Sequence, residues 1–373
     1  MGAVVMLERR MWPSVISAPG HRASLNRKIV TATELGEGLH NGRWCVMPSE
    51  DLAPTPTATL RRRSVGNLLR MGHCAPTVMK TLLDASGSTA RWPVMLTAGL
   101  PGGIGNTGGE CGGLTAPLVL LGLEHGRGET DDGLPVVVDA GQDLLARFAD
   151  AQGTTQCREI RGTSRVPLRC IGVVREAPVT CAACLGAPVA GAIAPEARAA
   201  YRMLYEHWNQ RGFHCADAVL GDSGTSPAPD AELRDAVTAF MGGTLFTGMT
   251  CSALTAGVMA LGLAMGEIEN SHVRVAWMIA TMAVGGDAMV DGINAFNRVM
   301  NLGHELSEWF EAEFGSTQCR ALTRCDFAST ADVVDYIDRD GTADCARLAR
   351  RVAERVSDMV ERASAASHHD GRA

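Results

Sequence analysis

The residues in this chain best able to do chemistry are cysteines, and two of them stand in the same setting. Cys251 lies in Gly248-Met249-Thr250-Cys251-Ser252-Ala253-Leu254-Thr255-Ala256-Gly257. Cys111 lies 140 residues earlier (251 − 111), in Gly108-Gly109-Glu110-Cys111-Gly112-Gly113-Leu114-Thr115-Ala116. Both stretches run on through Leu-Gly-Leu to a closing glycine, Gly126 or Gly266. His73-Cys74-Ala75 recurs as His214-Cys215-Ala216, an offset of 141 (214 − 73). Gly153-Thr154-Thr155-Gln156-Cys157-Arg158 recurs as Gly315-Ser316-Thr317-Gln318-Cys319-Arg320, an offset of 162 (315 − 153). A last cysteine, Cys345, heads the final helical stretch, and spacing makes Cys181 or Cys184 its earlier counterpart. The chain therefore reads as a tandem repeat with four ordered cysteines per copy.

Four thiolates drawn from four separate segments can hold an iron–sulfur cluster. Cys215, Cys251, Cys319 and Cys345 form the stronger candidate set. Cys74, Cys111 and Cys157 with Cys181 or Cys184 form the second, giving one expected cluster per copy. Cys251 and Cys345 fall at expected helix starts, where free N–H groups and the dipole favour a thiolate. Glycine-rich turns beside Cys111 and Cys251 expose further N–H donors. The same thiols without metal could instead cycle as thiol–disulfide pairs. Structural zinc usually takes closely spaced ligand pairs, and only Cys181-Ala182-Ala183-Cys184 has that spacing. That pair also has dithiol spacing but lacks the strand–helix setting of thioredoxin-like motifs. One cysteine alone is explained as well by burial of a small apolar side chain; four repeated in order are not. Cys170 has no evident counterpart, and Cys325 reads as a spare or packed thiol. His73 and His214, each preceding a repeated cysteine, fit either proton-carrying partners of the sulfurs or plain helix-end residues. His304-Glu305 lacks the second histidine one turn on that a zinc-protease helix needs.

The elements that must position these residues read as helices. Apolar spacing predicts helices over 64–83, 111–123, 141–151, 196–210, 231–241, 271–284, 287–313 and 346–366. Cys170, Cys181 and Cys184 fall in a looser stretch. No alternating strand pattern competes, so the fold class is all-α, two tandem helical lobes each with a four-cysteine constellation. The jump in offset from 140 to 162 places about 22 extra residues (162 − 140) in the second copy, mostly the helix near Val273. The boundaries follow: residues 1–60, rich in Pro, Ser, Thr and Arg and holding Cys45, as a poorly ordered arm; 61–190 as a diverged first copy; 191–366 as the second; 367–373 as a frayed tail.

The order of these motifs resembles the redox-active family named for its C_GCAxxG_C_C pattern. Phe314-Gly315-Ser316-Thr317-Gln318-Cys319-Arg320 is the most specific piece, and residues 196–365 match along their length. Residues 61–190 resemble a diverged copy. Ser252-Ala253 stand where the family usually has Gly-Ala, and Gly112-Gly113 and Pro117 mark the first copy. Pro117 falls in the first turns of its helix, where its ring and missing N–H disturb the bonding. The resemblance implies a helical protein whose cysteines do redox chemistry, and kinship with cluster-holding domains favours an iron–sulfur cluster over bare thiols.

The bulk composition sets the limits. At 373 residues, 46% hydrophobic and with mean hydropathy near zero, the chain can bury a full core. A net charge of −7 and few aromatics exclude a nucleic-acid-coating surface. Leu245 to Gly266 is long and apolar enough to mimic a membrane span, but its small residues suit a tightly packed buried helix. Residues 1–20 hold no secretory signal, so twelve cysteines point to metal or redox chemistry in a cytoplasmic setting. Gly103-Ile104-Gly105-Asn106-Thr107-Gly108 has dinucleotide-loop spacing without a βαβ setting, and Gly221-Asp222-Ser223-Gly224 resembles a serine-protease loop without the all-β fold. The expected role is electron transfer or cluster-assisted redox chemistry, whether or not enzymatic. The alternatives are a metal-free thiol–disulfide oxidoreductase and a zinc-stabilised scaffold. The expected partner is a redox protein or a small molecule, with no nucleic acid and no membrane, and a homo-oligomer left open.

Overall fold

The computed structural model describes residues 55–126, 134–163, 168–185, 193–225, 230–283 and 295–370, together with a strand pair at 39–40 and 43–44. Cys45, most of the N-terminal arm, the start of the expected 287–313 helix and the last three residues lie outside them. Apart from that pair the described residues are helices and turns, so the all-α expectation holds.

The first lobe consists of α1 (Thr57–Met71), α2 (Cys74–Ser86), α3 (Trp92–Leu96), α4 (Gly112–His125), α5 (Leu134–Gln152), α6 (Cys157–Arg161) and α7 (Leu168–Leu185). The second consists of α8 (Pro195–Gln210), α9 (Cys215–Asp222), α10 (Asp230–Ala236) with a 3-10 turn at Thr238–Phe240, α11 (Ser252–Met265), α12 (His272–Ala283), α13 (Ala295–Phe314), α14 (Cys319–Thr323), α15 (Thr330–Asp338) and α16 (Gly341–Asp370). Helices α2, α4, α5, α6 and α7 correspond to α9, α11, α13, α14 and α16. The second lobe adds α12 and α15.

Several boundaries differ from the sequence reading. The single helix expected over 64–83 is two, because Gly72 closes α1 in a left-handed conformation (φ 77°) and His73 starts α2 in extended backbone. The 231–241 helix ends early and finishes as the 3-10 turn. The stretch read as loose is helix α7, which carries Cys170, Cys181 and Cys184. The expected tail is helical to Asp370, and Cys345 sits inside the first turns of α16 rather than ahead of it. Pro117 removes one helical hydrogen bond without ending α4.

The apolar stretch at the centre of the second lobe is α11, buried from Ser252 to Leu263 on all sides. Its glycines admit neighbours closely: a Cβ on Gly257 would stand 2.8 Å from Leu306 and one on Gly262 2.4 Å from the Met95 carbonyl oxygen. No helix among the described residues is long and apolar enough to cross a membrane.

The lobes share one continuous core. Helix α4 packs on α10 of the second lobe, and α11 packs on α3 of the first. A Cβ on Gly122 would meet the Asp235 carbonyl oxygen at 2.3 Å, the mirror of the Gly262 contact. The glycine-rich loops are exchanged in the same way. Gly105 lies against the backbone of Gly303 on α13, and its counterpart Leu245 lies against Gly141 on α5. Both loops turn left-handed. The first does so with Gly102, Gly103, Ile104, Gly105 and Asn106, the second with Gly242, Gly243, Thr244, Leu245 and Phe246. Non-glycine residues there carry strain of roughly 1–2 kcal/mol each. Contacts across the chain hold them: Leu245 on Gly141, and Phe246 stacked on Tyr201 with ring centroids 4.7 Å apart.

Candidate redox centres

In each lobe the segment before the buried helix pairs with the segment before the next short helix. Glu110 bridges Gln156 and Thr250 bridges Gln318, both antiparallel. The Cys111 N–H donates to the Thr155 carbonyl and the Cys157 N–H to the Gly109 carbonyl, at 2.9 and 2.7 Å. The Cys251 and Cys319 N–H groups repeat this on Thr317 and Met249, at 2.8 and 2.7 Å. Side chains alternate across such a ribbon, so the two cysteines flanking each bridge fall on one face as diagonal neighbours. The cysteine at the start of α2 or α9 and one from α7 or α16 complete the group.

In the second lobe the group is Cys215, Cys251, Cys319 and Cys345. Burial pushes the Cys251 thiol up to about 12, and the neighbouring Cys345 adds to it. Burial likewise raises Cys215, with further contributions from Cys345 and Cys251, and raises Cys319, which senses all three others. The sequence reading expected helix starts to favour thiolates. The N–H groups of Ala253 and Leu254 do act that way on Cys251, but burial outweighs them. Cys345 is also raised by burial, opposed by the Tyr336 hydroxyl, which donates to its sulfur at 3.3 Å. Thr342 Oγ1 donates to the Tyr336 oxygen at 3.5 Å, and His207 Nε2 lies 3.1 Å from Thr342 Oγ1. Cys325, buried beside Cys319, is a fifth thiol at the edge of the group.

In the first lobe the group is Cys74, Cys111, Cys157 and Cys170. Burial pushes Cys74 up to about 12, with added repulsion from Cys157 and Cys170. Cys170 is raised by burial and by Cys157. Spacing had pointed to Cys181 or Cys184, which lie 24 and 27 residues after Cys157 (181 − 157; 184 − 157), because Cys345 lies 26 after Cys319 (345 − 319). The added helix α15 accounts for that longer spacing, and without it the counterpart falls at Cys170, only 13 residues on (170 − 157). Cys181 and Cys184 occupy another part of α7. Burial raises Cys181, with Cys184 and Glu124 adding to it, and burial pushes Cys184 up to about 11 beside Asp143.

The two groups differ in one respect. The Cys111 thiol donates a hydrogen bond to the Cys157 sulfur, which lowers Cys157 below the ordinary thiol value, and the Arg161 guanidinium lowers it further. Cys111 is raised correspondingly. The glycines after Cys111 admit α2 and α7 closely. A Cβ on Gly112 would stand 2.6 Å from the Cys74 sulfur, and one on Gly113 2.5 Å from Val173. In the second lobe Ser252 takes the first position, and its hydroxyl donates to the Phe240 carbonyl.

The bridges of the two lobes abut. Glu110, 1% exposed, accepts from the Thr250 N–H and Thr244 Oγ1 at 3.1 Å each and from Thr250 Oγ1 at 2.5 Å. The residue before Cys111 thus binds the residue before Cys251. Repeat alignment puts Glu opposite Thr here, a difference visible in the sequence and not singled out.

His73 Nε2 meets Asn297 Oδ1 at 2.5 Å across the lobes, and His214 Nδ1 accepts from the Asp217 N–H at 3.3 Å, capping α9. His304 lies exposed beside Glu308, and Glu305 pairs with Arg355 and Arg362. The Gly103–Gly108 loop has no strand before it and no helix opening directly at its end, so it is not a dinucleotide loop. Among the described residues no three His, Cys, Asp or Glu side chains converge on a point where one metal ion would bind, and no disulfide is formed.

A family model described as "Putative redox-active protein (C_GCAxxG_C_C)" matches residues 72–186 and again 213–359, well over half of the chain. The chain belongs to this C_GCAxxG_C_C family. The double match agrees with the tandem duplication, and the family's description supports a redox role. No curated protein and no solved structure matches the chain.

Proposed function

We propose that this C_GCAxxG_C_C protein is an electron-transfer protein whose second thiol group, Cys215, Cys251, Cys319 and Cys345, holds an iron–sulfur cluster. The observation that carries this reading is the gathering of four thiols from four separate segments, three buried and Cys345 half-buried, with Cys251 and Cys319 flanking the Thr250–Gln318 bridge on one face. Burial makes four thiolates costly unless a cationic centre offsets their charge. The four cysteines come from four separate segments rather than from the closely spaced ligand pairs usual for structural zinc, which supports a cluster over a zinc ion. When bound, such a cluster takes up and releases single electrons. The chain's residues bury Cys215, Cys251 and Cys319 away from water, while the Ala253 and Leu254 N–H groups donate toward Cys251 and the Tyr336 hydroxyl toward Cys345. Such donors raise a cluster's potential.

A second reading applies to the first thiol group, on one observation: the Glu110–Gln156 bridge sets Cys111 and Cys157 side by side on one face, where Cys111 and Arg161 lower the Cys157 thiol. That pair suits a thiol–disulfide couple, with Cys157 attacking and Cys111 resolving. A reducing cytoplasmic setting and a redox protein or small-molecule partner fit both centres.

Anaerobic reconstitution tests the main reading. Iron and acid-labile sulfide should load together in the wild type and in Cys111→Ser, and should be lost from Cys251→Ser and Cys319→Ser. Equal loading in the last two variants would refute the ligand set.

A further inference from the structure

A cavity of about 460 Å³ opens beside Cys157, lined by Arg158 and Arg161 and by the left-handed loop at Gly102, Asn106 and Gly108. That volume is in the range of small-molecule sites. Its charge is unlike that of a second cavity, of about 340 Å³, which lies elsewhere in the second lobe beside Cys345 and whose arginines are already engaged: Arg339 with Asp335, Arg347 with Asp344, and Arg351 with Glu313 and Glu354. Arg320, the repeat counterpart of Arg158, pairs with Asp326. Among the described residues neither Arg158 nor Arg161 has a carboxylate partner. Arg158 is instead held in place by its own Nε, which donates to the Gly108 carbonyl at 3.2 Å. Thr323 stands in the second lobe where the first has Arg161. Among the described residues the first lobe therefore has two arginines without a carboxylate at the mouth of a cavity that ends on a cysteine.

The thiols are ordered in depth. Cys157 lines the cavity, and Cys111 lies behind it, 4% exposed and outside the lining. A ligand that reacts with an outer thiol and is then resolved by an inner one takes up two electrons. Disulfides do this. Hydrogen peroxide could also, but it offers the arginines no charge to hold.

We propose that this cavity binds a small disulfide bearing carboxylates, held by Arg158 and Arg161, and reduces it through Cys157 and Cys111. The inference rests on the reading of these two cysteines as a redox couple. The Cys157 thiolate attacks one ligand sulfur; the ligand S–S bond breaks as the mixed disulfide forms, and the departing thiolate takes the proton that Cys157 released. Cys111 then gives up its proton and attacks the Cys157 sulfur. The mixed disulfide breaks, a Cys111–Cys157 disulfide forms, and the second half of the ligand leaves as a thiol. Two electrons and two protons pass from the protein to the ligand. A second dithiol reverses the sequence and restores the protein.

The test uses the full-length reduced protein and three disulfide probes: glutathione disulfide (anionic), hydroxyethyl disulfide (neutral) and cystamine (cationic). Peptide mapping by mass spectrometry follows the bonds formed. In Cys111→Ser, glutathione disulfide should leave a mixed disulfide on Cys157, formed at low salt about fivefold or more faster than with cystamine. Salt and Arg161→Gln should each narrow that ratio; because Arg161→Gln also removes the guanidinium that lowers Cys157 and so slows every probe, each charged probe's rate is taken relative to hydroxyethyl disulfide in the same variant. A Cys111–Cys157 disulfide formed with all three probes but with cystamine fastest, or a ratio untouched by Arg161→Gln, overturns the anion site while leaving the couple intact. If no probe, hydroxyethyl disulfide included, yields a Cys111–Cys157 disulfide in the wild type, the couple itself fails and the inference with it.

Discussion

Replacing Glu110 tests the contact that ties the two centres together. Its buried carboxylate accepts three hydrogen bonds from the other lobe: the Thr250 N–H and Thr244 Oγ1 at 3.1 Å, and Thr250 Oγ1 at 2.5 Å. In Glu110→Ala the two threonine hydroxyls can rotate toward other acceptors, but the Thr250 N–H is fixed by the bridge to Gln318. Leaving that donor buried and unpaired costs about 1–3 kcal/mol. The cavity left by the missing side-chain atoms adds to it, for a total of about 3–5 kcal/mol. Glu110→Gln keeps the shape and one carbonyl acceptor, and its amide can donate to the Thr250 hydroxyl, so the loss there is about 1 kcal/mol. At about 2 °C per kcal/mol for a chain of this size, Glu110→Ala should melt ~6–10 °C below the wild type and Glu110→Gln ~2 °C below. Circular dichroism measures the melting. Alkylation mapped by mass spectrometry supplies a second readout, since Cys111 and Cys251 should become reactive together. If Glu110→Ala melts within about 2 °C of the wild type, or Glu110→Gln is as damaging, the carboxylate is not a keystone of the interface and the reasoning fails.

Further outcomes follow from the same geometry. Burial pushes the Glu124 carboxyl up to about 7 from an ordinary 4.5, so the fold favours its neutral form. That contribution is complete below about pH 4.5 and is lost as pH rises through about 7, so stability in urea should fall by on the order of 2 kcal/mol more between pH 5 and 8 in the wild type than in Glu124→Gln. The second-lobe thiols, all raised by burial, act in the same sense at higher pH. Metal-free protein should lose stability above about pH 8.5, where unfolded cysteines ionise, and Cys251→Ala should lessen that loss. Tyr336→Phe removes the donor that lowers the Cys345 thiol, so iodoacetamide should modify Cys345 more slowly at pH 8 than in the wild type. Gly112→Ala puts a Cβ 2.6 Å from the Cys74 sulfur and 3.0 Å from Ala75 Cβ, which should cost about 1–3 kcal/mol in urea denaturation and expose Cys74 to alkylation.

Much of this was legible in the sequence, because repetition carries information that single motifs do not. The recurring His-Cys-Ala, Cys-x-x-Leu-Thr-Ala and Thr-Gln-Cys-Arg segments marked six of the eight grouped cysteines, Cys345 was marked by heading the last helical stretch, and small apolar residues around Cys251 marked α11 as a buried helix. The eighth failed for a physical reason. Correspondence by spacing assumes equal connections, and the α15 insertion made Cys181 resemble the partner of Cys345 in distance while Cys170 matched it in space. The glycine-rich loop reads in the sequence as a turn that exposes N–H donors, yet its glycines serve a left-handed turn that its partner loop makes with Thr244, Leu245 and Phe246. The interdigitation of the lobes was also hidden, since contacts such as Gly105 on Gly303 depend on tertiary approach between backbones rather than on local pattern. Tyr336 and Arg161 carry no motif; only their placement beside Cys345 and Cys157 gives them a role.

X-ray absorption at the iron edge of anaerobically reconstituted protein tests the central claim most directly. The account predicts iron in an all-sulfur shell with iron–iron scattering from a cluster core, both lost in Cys251→Ser. Iron bound without iron–iron scattering, or a protein that takes up no iron while all its cysteines are reduced, would contradict it.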